Sequence, residues 1–210
     1  MSSASSQAAH AGGVAIARRP LRIGTRGSAL ALWQARAVQT ALEARHPGLR
    51  TELEIIRTEG DVDRHSSLTA IGGRGVFTSA LQRRLLDGDI DLAVHSTKDL
   101  PSLSPPGVAI AAFPQREDAR DVLISRHGVG LEDLPPNPVV GTSSRRRAAQ
   151  VRALRPDAEI RDLRGNIDTR LAKGMSDQYD AVILAAAGLR RLGWQDRITR
   201  SLPIAQFTPA

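Results

Sequence analysis

The sequence predicts an α/β protein of two lobes with a cleft between them, and three observations predict it. Short apolar runs repeatedly empty into polar or arginine-bearing turns that open helices. This strand, turn and helix unit occurs in both halves of the 210-residue chain. Between the halves lies a break rich in proline and glycine, at Pro101, Pro105, Pro106 and Gly107. The densest polar cluster closes the run Asp89-Ile90-Asp91-Leu92-Ala93-Val94-His95-Ser96-Thr97-Lys98-Asp99-Leu100-Pro101. Its apolar part reads as a strand buried on both faces. In an open parallel sheet the ligand crevice lies beyond the carboxyl ends of the strands, which places His95, Ser96, Lys98 and Asp99 in it.

The elements follow in order. Residues 21–25 read as a first strand, and Arg26-Gly27-Ser28 leads into a helix to about Arg45, with Ser28 at the N-cap. Leu30, Trp33, Ala37, Val38, Ala41 and Leu42 keep the helical period. Residues 51–57 alternate like a strand and are followed by a polar loop closing on Gly72-Gly73-Arg74-Gly75, where three glycines suit a tight turn near a ligand. A helix over residues 76–86 ends at Gly88. Beyond the break, residues 108–113 and 121–125 read as strands, and residues 139–142 as a short one after Pro135, Pro136 and Pro138. Ser143-Ser144-Arg145-Arg146-Arg147 then opens a helix to about Leu154. Three cations at a helix N-terminus oppose its dipole, so helix stability does not account for them; a bound anion would, the alternative being a basic face turned to solvent. A strand over residues 159–163 empties into Arg164-Gly165-Asn166 and a helix carrying Asp168 and Arg170; residues 179–185 and 186–192 form a last strand and helix.

Composition narrows the chemistry. The chain has no cysteine, which rules out disulfides and thiolate ligands, and its five histidines are scattered, so no metal site is expected. A net charge of +7 points to an anionic partner. Aromatic content of 3% leaves little for base stacking and no nucleic-acid motif is present, so a small polyanion is expected in place of DNA or RNA. No stretch is long and apolar enough to cross a membrane. Residues 1–20 read as a disordered tail, with a transit peptide as the alternative, and the chain as a cytoplasmic monomer.

Taken together the segments resemble porphobilinogen deaminase, the hydroxymethylbilane synthase family. The likeness is carried by Arg22-Ile23-Gly24-Thr25-Arg26-Gly27-Ser28 with Leu30-Ala31-Leu32-Trp33-Gln34-Ala35, by Gly72-Gly73-Arg74-Gly75-Val76-Phe77, and by Asp91 to Pro101. It continues through Arg116-Glu117-Asp118, Gly141-Thr142-Ser143-Ser144-Arg145-Arg146-Arg147, Leu163-Arg164-Gly165-Asn166 with Thr169-Arg170-Leu171, and Ala185-Ala186-Ala187-Gly188-Leu189-Arg190-Arg191-Leu192-Gly193.

The resemblance implies two lobes like those of type 2 periplasmic binding proteins, the first formed by residues 21–101 plus about 199–210 and the second by residues 106–198. It implies that four porphobilinogens are deaminated and joined into linear hydroxymethylbilane, in tetrapyrrole (heme) biosynthesis, on a dipyrromethane cofactor held by a cysteine of a third domain. Carried over by position, Asp99 is the catalytic carboxylate. Arg26, Ser28, Lys98, Arg146, Arg147, Arg164 and Arg170 match positions that bind substrate and cofactor carboxylates, with Ser96, Ser144 and Arg74 as further candidates. Arg145 stands where the family often has an apolar residue, and Asp168 where glycine is common. The third domain and its cysteine are absent from this sequence. The expectation is therefore a truncated deaminase, the alternative being a two-lobed binding protein for linear pyrroles or other polycarboxylates that does no chemistry.

Overall fold

The computed structural model describes residues 19–57 and 79–210. The tail over residues 1–18, the polar loop with Arg74, and the helix start at Val76 and Phe77 lie outside the described residues.

The first lobe is built on a parallel three-stranded sheet of order β2-β1-β3, with β1 at Leu21–Thr25, β2 at Thr51–Ile55 and β3 at Leu92–Ala93. Ile23, Gly24 and Thr25 of β1 are buried, as a central strand requires. A Cβ at Gly24 would run into the end of the Ile90 side chain, which would have to shift to make room. Helix α1, Ala29–Arg45, starts at the expected cap: the Ser28 hydroxyl accepts from the Ala31 N–H at 3.3 Å. Helix α2, Ser79–Leu86, buries Leu81, and Gly88 beyond it takes a φ of 75° that favours glycine. Asp91 ties the lobe together by accepting from the Arg22 N–H at 2.8 Å and from both terminal nitrogens of Arg19 at 2.7 and 2.6 Å. These donors, Arg19 foremost, hold its carboxyl far below the usual carboxylate range against the opposing effect of burial.

The second lobe carries a five-stranded mixed sheet of order β6-β5-β7-β4-β8. Its strands are β4 at Asp121–Ser125, β5 at Val139–Gly141, β6 at Glu159–Arg161, β7 at Ala181–Ala185 and β8 at Arg200–Ser201. Strands β5, β6 and β7 run parallel, whereas β4 runs antiparallel to β7 and to β8. Alternation along β4 and β7 feeds two cores, one on each face of the sheet. Leu123, Ala181 and Ile183 pack with Val140, Val151 and Phe207, while Val122, Ile124, Val182 and Leu184 pack with Leu163 and Leu189. Helices α3 at Arg145–Leu154, α4 at Ile167–Gly174 and α5 at Ala186–Arg191 follow β5, β6 and β7.

Three expectations are corrected. The run through residues 89–94 does not read as a strand buried on both faces: among the described residues only Leu92 and Ala93 pair, both half-buried, with β1 as their neighbour. Residues 108–113 form no strand; Pro105 and Pro106 precede them, Pro114 follows, and Ile110 and Phe113 are exposed. Residues 199–210 do not return to the first sheet. β8 pairs with β4, and Leu202 and Phe207 are buried in the core of the second lobe.

Candidate active site

The side chains expected at the site follow the strand ends. Arg26 and Ser28 follow β1, and His95, Ser96, Lys98 and Asp99 follow β3, the last two on a 3-10 turn at Thr97–Asp99. From the second lobe, Ser144, Arg146 and Arg147 follow β5, and Arg164 and Arg170 follow β6. Ser144 caps α3, its hydroxyl accepting from the Arg147 N–H at 3.4 Å. Ser28 and Ser144 thus serve first as helix caps, each leaving its hydroxyl hydrogen to donate elsewhere.

Electrostatic couplings place the two sets together. Burial, then the charge of Arg147, depresses the basicity of Lys98, with Asp99 and Asp121 opposing and Arg170 adding to the depression. Arg170 is likewise depressed by burial and then by Arg147 and Arg164, against the pull of Asp99. The charges of Lys98 and Asp99 in one lobe and of Arg147 and Arg170 in the other are therefore near enough to act on one another. Lys98 is nonetheless exposed to solvent. His95 is disfavoured as a cation by burial, with Asp99 favouring and Arg26 disfavouring its charge.

The carboxylates differ in what they touch. Asp121, 2% exposed, accepts from Arg146 Nη2 at 2.6 Å and from Arg147 Nη2 at 2.7 Å. Asp99 is exposed, and among the described residues no cation closes on it within salt-bridge distance. A carboxylate left in this state beside several cations is available to hold a proton or a developing positive charge on a ligand.

The arginines expected to bind carboxylates are also unequal. Arg146 spans Asp121 and the Thr208 carbonyl, and Arg147 spans Asp121 and the Ile183 carbonyl, so protein acceptors take the terminal nitrogens of both. Arg170 commits its Nε to the Gly165 carbonyl at 2.7 Å, which orients the fork. Arg164 lies 3.9 Å from Asp162. Asp168 is exposed in the first turn of α4.

Two residues of this constellation were not among the expected site residues. Gln34 on α1 donates from Nε2 to the Ser96 hydroxyl at 3.1 Å and so reaches the turn that carries Lys98 and Asp99. Asp121 opens β4, and because β4 is antiparallel to β7, its first residue lies at the carboxyl end of β5, β6 and β7. The sequence signal was there: an aspartate opening the buried run Val122-Leu123-Ile124.

Residues 21–210 match the family model described as porphobilinogen deaminase, dipyromethane cofactor binding domain. The chain belongs to the porphobilinogen deaminase family. It is 54% identical over 192 residues to the porphobilinogen deaminase of Syntrophobacter fumaroxidans, covering 91% of this chain and 62% of that protein. With that of Syntrophomonas wolfei it shares 50% over 192 residues, covering 91% and 63%. The chain thus spans less than two thirds of the length of these family members. Among solved structures, the GluR0 ligand-binding core in complex with L-glutamate aligns at a TM-score of 0.38 and 13% identity, covering 88% of this chain and 78% of that one.

Proposed function

We propose that this chain forms the substrate- and cofactor-binding cleft of a hydroxymethylbilane synthase, with Asp99 as the catalytic carboxylate. The observation that carries this reading is the placement of Asp99: without a close ion pair among the described residues, it sits beside Lys98 on one turn, and its charge acts on Arg170 of the other lobe.

Porphobilinogen carries an acetate and a propionate, so a growing pyrrole chain is a polycarboxylate. Guanidinium forks bind such groups bidentately, which suits Arg26, Arg164 and Arg170 to their binding, with Lys98 as a point charge. Deamination then has two requirements. The leaving amine needs a proton to depart as ammonia, and the methylene-pyrrole left behind is a cation. A carboxylate at Asp99 meets both, as a proton carrier and as a counter-charge.

The cationic donor set fits the acetate and propionate groups of a dipyrromethane, and Arg26, Ser28, Arg164 and Arg170 would hold it, with Arg146 and Arg147 beneath. When bound, that group supplies the primer to which pyrrole units are added. The chain has no cysteine, so its own residues offer no thiol for covalent attachment. The alternative reading is a cleft that binds linear pyrroles without turnover. Among the described residues no helix is long and apolar enough to cross a membrane, and we place the protein in the cytoplasm as a monomer.

Calorimetric titration with porphobilinogen, read together with ammonia release, tests both readings. Binding with ammonia release supports the synthase, and binding without it supports the module. Absence of binding overturns both.

A further inference from the structure

We propose that Asp121 is a positioning residue of the cleft, a buried carboxylate that fixes Arg146 and Arg147 side by side as one rigid cationic platform for ligand carboxylates. The inference rests on the carboxylate-binding reading given above.

Arg146 and Arg147 are neighbours in the first turn of α3, and consecutive side chains on a helix diverge by roughly 100°. Their mutual repulsion and the positive end of the helix dipole push them further apart. What brings them together is a single side chain: Asp121 Oδ2 accepts from Arg146 at 2.6 Å while Oδ1 accepts from Arg147 at 2.7 Å. The register Asp121↔Ala185 places that carboxylate at the end of the sheet from which α3 and α4 depart. Arg147 is then fixed a second time by the Ile183 carbonyl at 3.0 Å, whereas Arg146 keeps a 30% exposed side chain. Asp121 is felt further out, since its charge acts on Lys98 together with that of Arg147. A platform held in place before the ligand arrives loses little side-chain freedom on binding, and so binds more tightly than the same charges on mobile side chains.

Three possible roles for Asp121 give three different results. If it acted only through charge, Asp121→Asn would remove a negative charge and tighten anion binding. If it acted only in folding, the melting temperature would fall and the affinity of the folded protein would stay the same. Positioning predicts weaker binding, because an asparagine presents one acceptor and one donor and releases one guanidinium.

The test is calorimetric titration of the 210-residue protein with porphobilinogen at two salt concentrations, alongside thermal melting of each variant. Asp121→Asn is expected to weaken binding roughly tenfold at both salts, and Asp121→Glu, which keeps the carboxylate, to recover part of the loss. Arg146→Lys keeps the charge without the planar fork and leaves Asp121 in place with Arg147 as its partner. It is expected to weaken binding about fivefold with little change in melting, and it decides the matter should Asp121→Asn fail to fold. Unchanged or tighter binding in these variants overturns the inference alone. No binding by the unaltered protein overturns the reading of the cleft and the inference with it.

Discussion

The Gln34 amide of α1 and the Ser96 hydroxyl meet at 3.1 Å across 62 positions of sequence, fastening the start of the Thr97–Asp99 turn to the first helix. The Ser96 carbonyl in turn accepts from the Asp99 N–H at 2.9 Å, so the residue that Gln34 holds also shapes the turn bearing Asp99. Gln34→Ala removes the partly buried hydrogen bonding between the amide and the Ser96 hydroxyl, about 1 kcal/mol per bond in net terms. In any preparation that turns over porphobilinogen, the expected result is a kcat/KM for ammonia release lowered roughly fivefold to tenfold, with melting shifted by only a few degrees. A large fall in melting temperature with kcat/KM intact would show Gln34 to be purely structural.

Asp99→Asn keeps the shape of the side chain and removes its negative charge. In any preparation that turns over porphobilinogen, ammonia release is expected to fall about 100-fold or more, the usual range for losing a proton-transfer group. Affinity for porphobilinogen should hold or rise, since the cations around Asp99 lose a competing carboxylate. Stopped-flow ammonia assays and calorimetry on one preparation separate the two effects.

Lys98 supplies a pH signature. Burial and Arg147 depress its basicity in the free protein, so below that lowered pKa the folded protein carries the ammonium at a cost to stability. The resulting cost to stability is relieved as pH rises through the lowered pKa toward the ordinary 10.5. A bound carboxylate favours the ammonium and raises the pKa again, so binding on the alkaline side must take up a proton. Titration in buffers of different ionisation enthalpy should reveal that uptake, and Lys98→Met should abolish it. Equal heats in all buffers for the unaltered protein would remove Lys98 from the carboxylate-binding set.

The parts legible in sequence were those fixed by local chemistry. Ser28 and Ser144 announced two helix starts, Gly88 a helix end, and the apolar runs of β1, β4 and β7 their strands. What was hidden depended on partners distant in the chain. Residues 108–113 have the composition of a strand, but pairing is not written in composition. Asp121 was passed over because the carboxyl-end rule assumes parallel strands, and β4 is reversed. The triple arginine was read as free cation facing solvent or ligand, whereas two of the three are joined through Asp121. Sequence showed an excess of charge there, and only packing showed how it is partly neutralised.

The placement of residues 199–210 on the second lobe has a direct consequence. Phe207 is 1% exposed in the core with Leu123 and Ile183, and Thr208 is held to α3 through Gln150, donating its N–H to Oε1 at 2.6 Å. Phe207→Ala should cost about 3–5 kcal/mol in urea unfolding, as expected for emptying a buried aromatic site. A loss below about 1 kcal/mol would mean that this segment does not complete the second core.

Asp118 sets a limit at acid pH. Its carboxylate accepts from Arg120 Nη2 at 2.7 Å and from the Arg120 N–H at 3.0 Å, and Arg190 of α5 approaches to 3.1 Å. The Arg120 side chain is the main cause of a pKa lowered from 3.8 to about 2, with burial opposing and the Arg120 N–H and the charges of Arg120 and Arg190 assisting. Because the folded-state value is the lower one, the unfolded chain binds the proton first as pH falls. The stability Asp118 contributes is therefore complete above about pH 4 and is lost on the way down through about pH 2. Asp118→Asn should be less stable than the unaltered protein at neutral pH, with the gap closing between pH 4 and pH 2. Urea midpoints across that range check the sign, since a gap constant with pH would mean that the hydrogen-bond geometry matters and the charge does not.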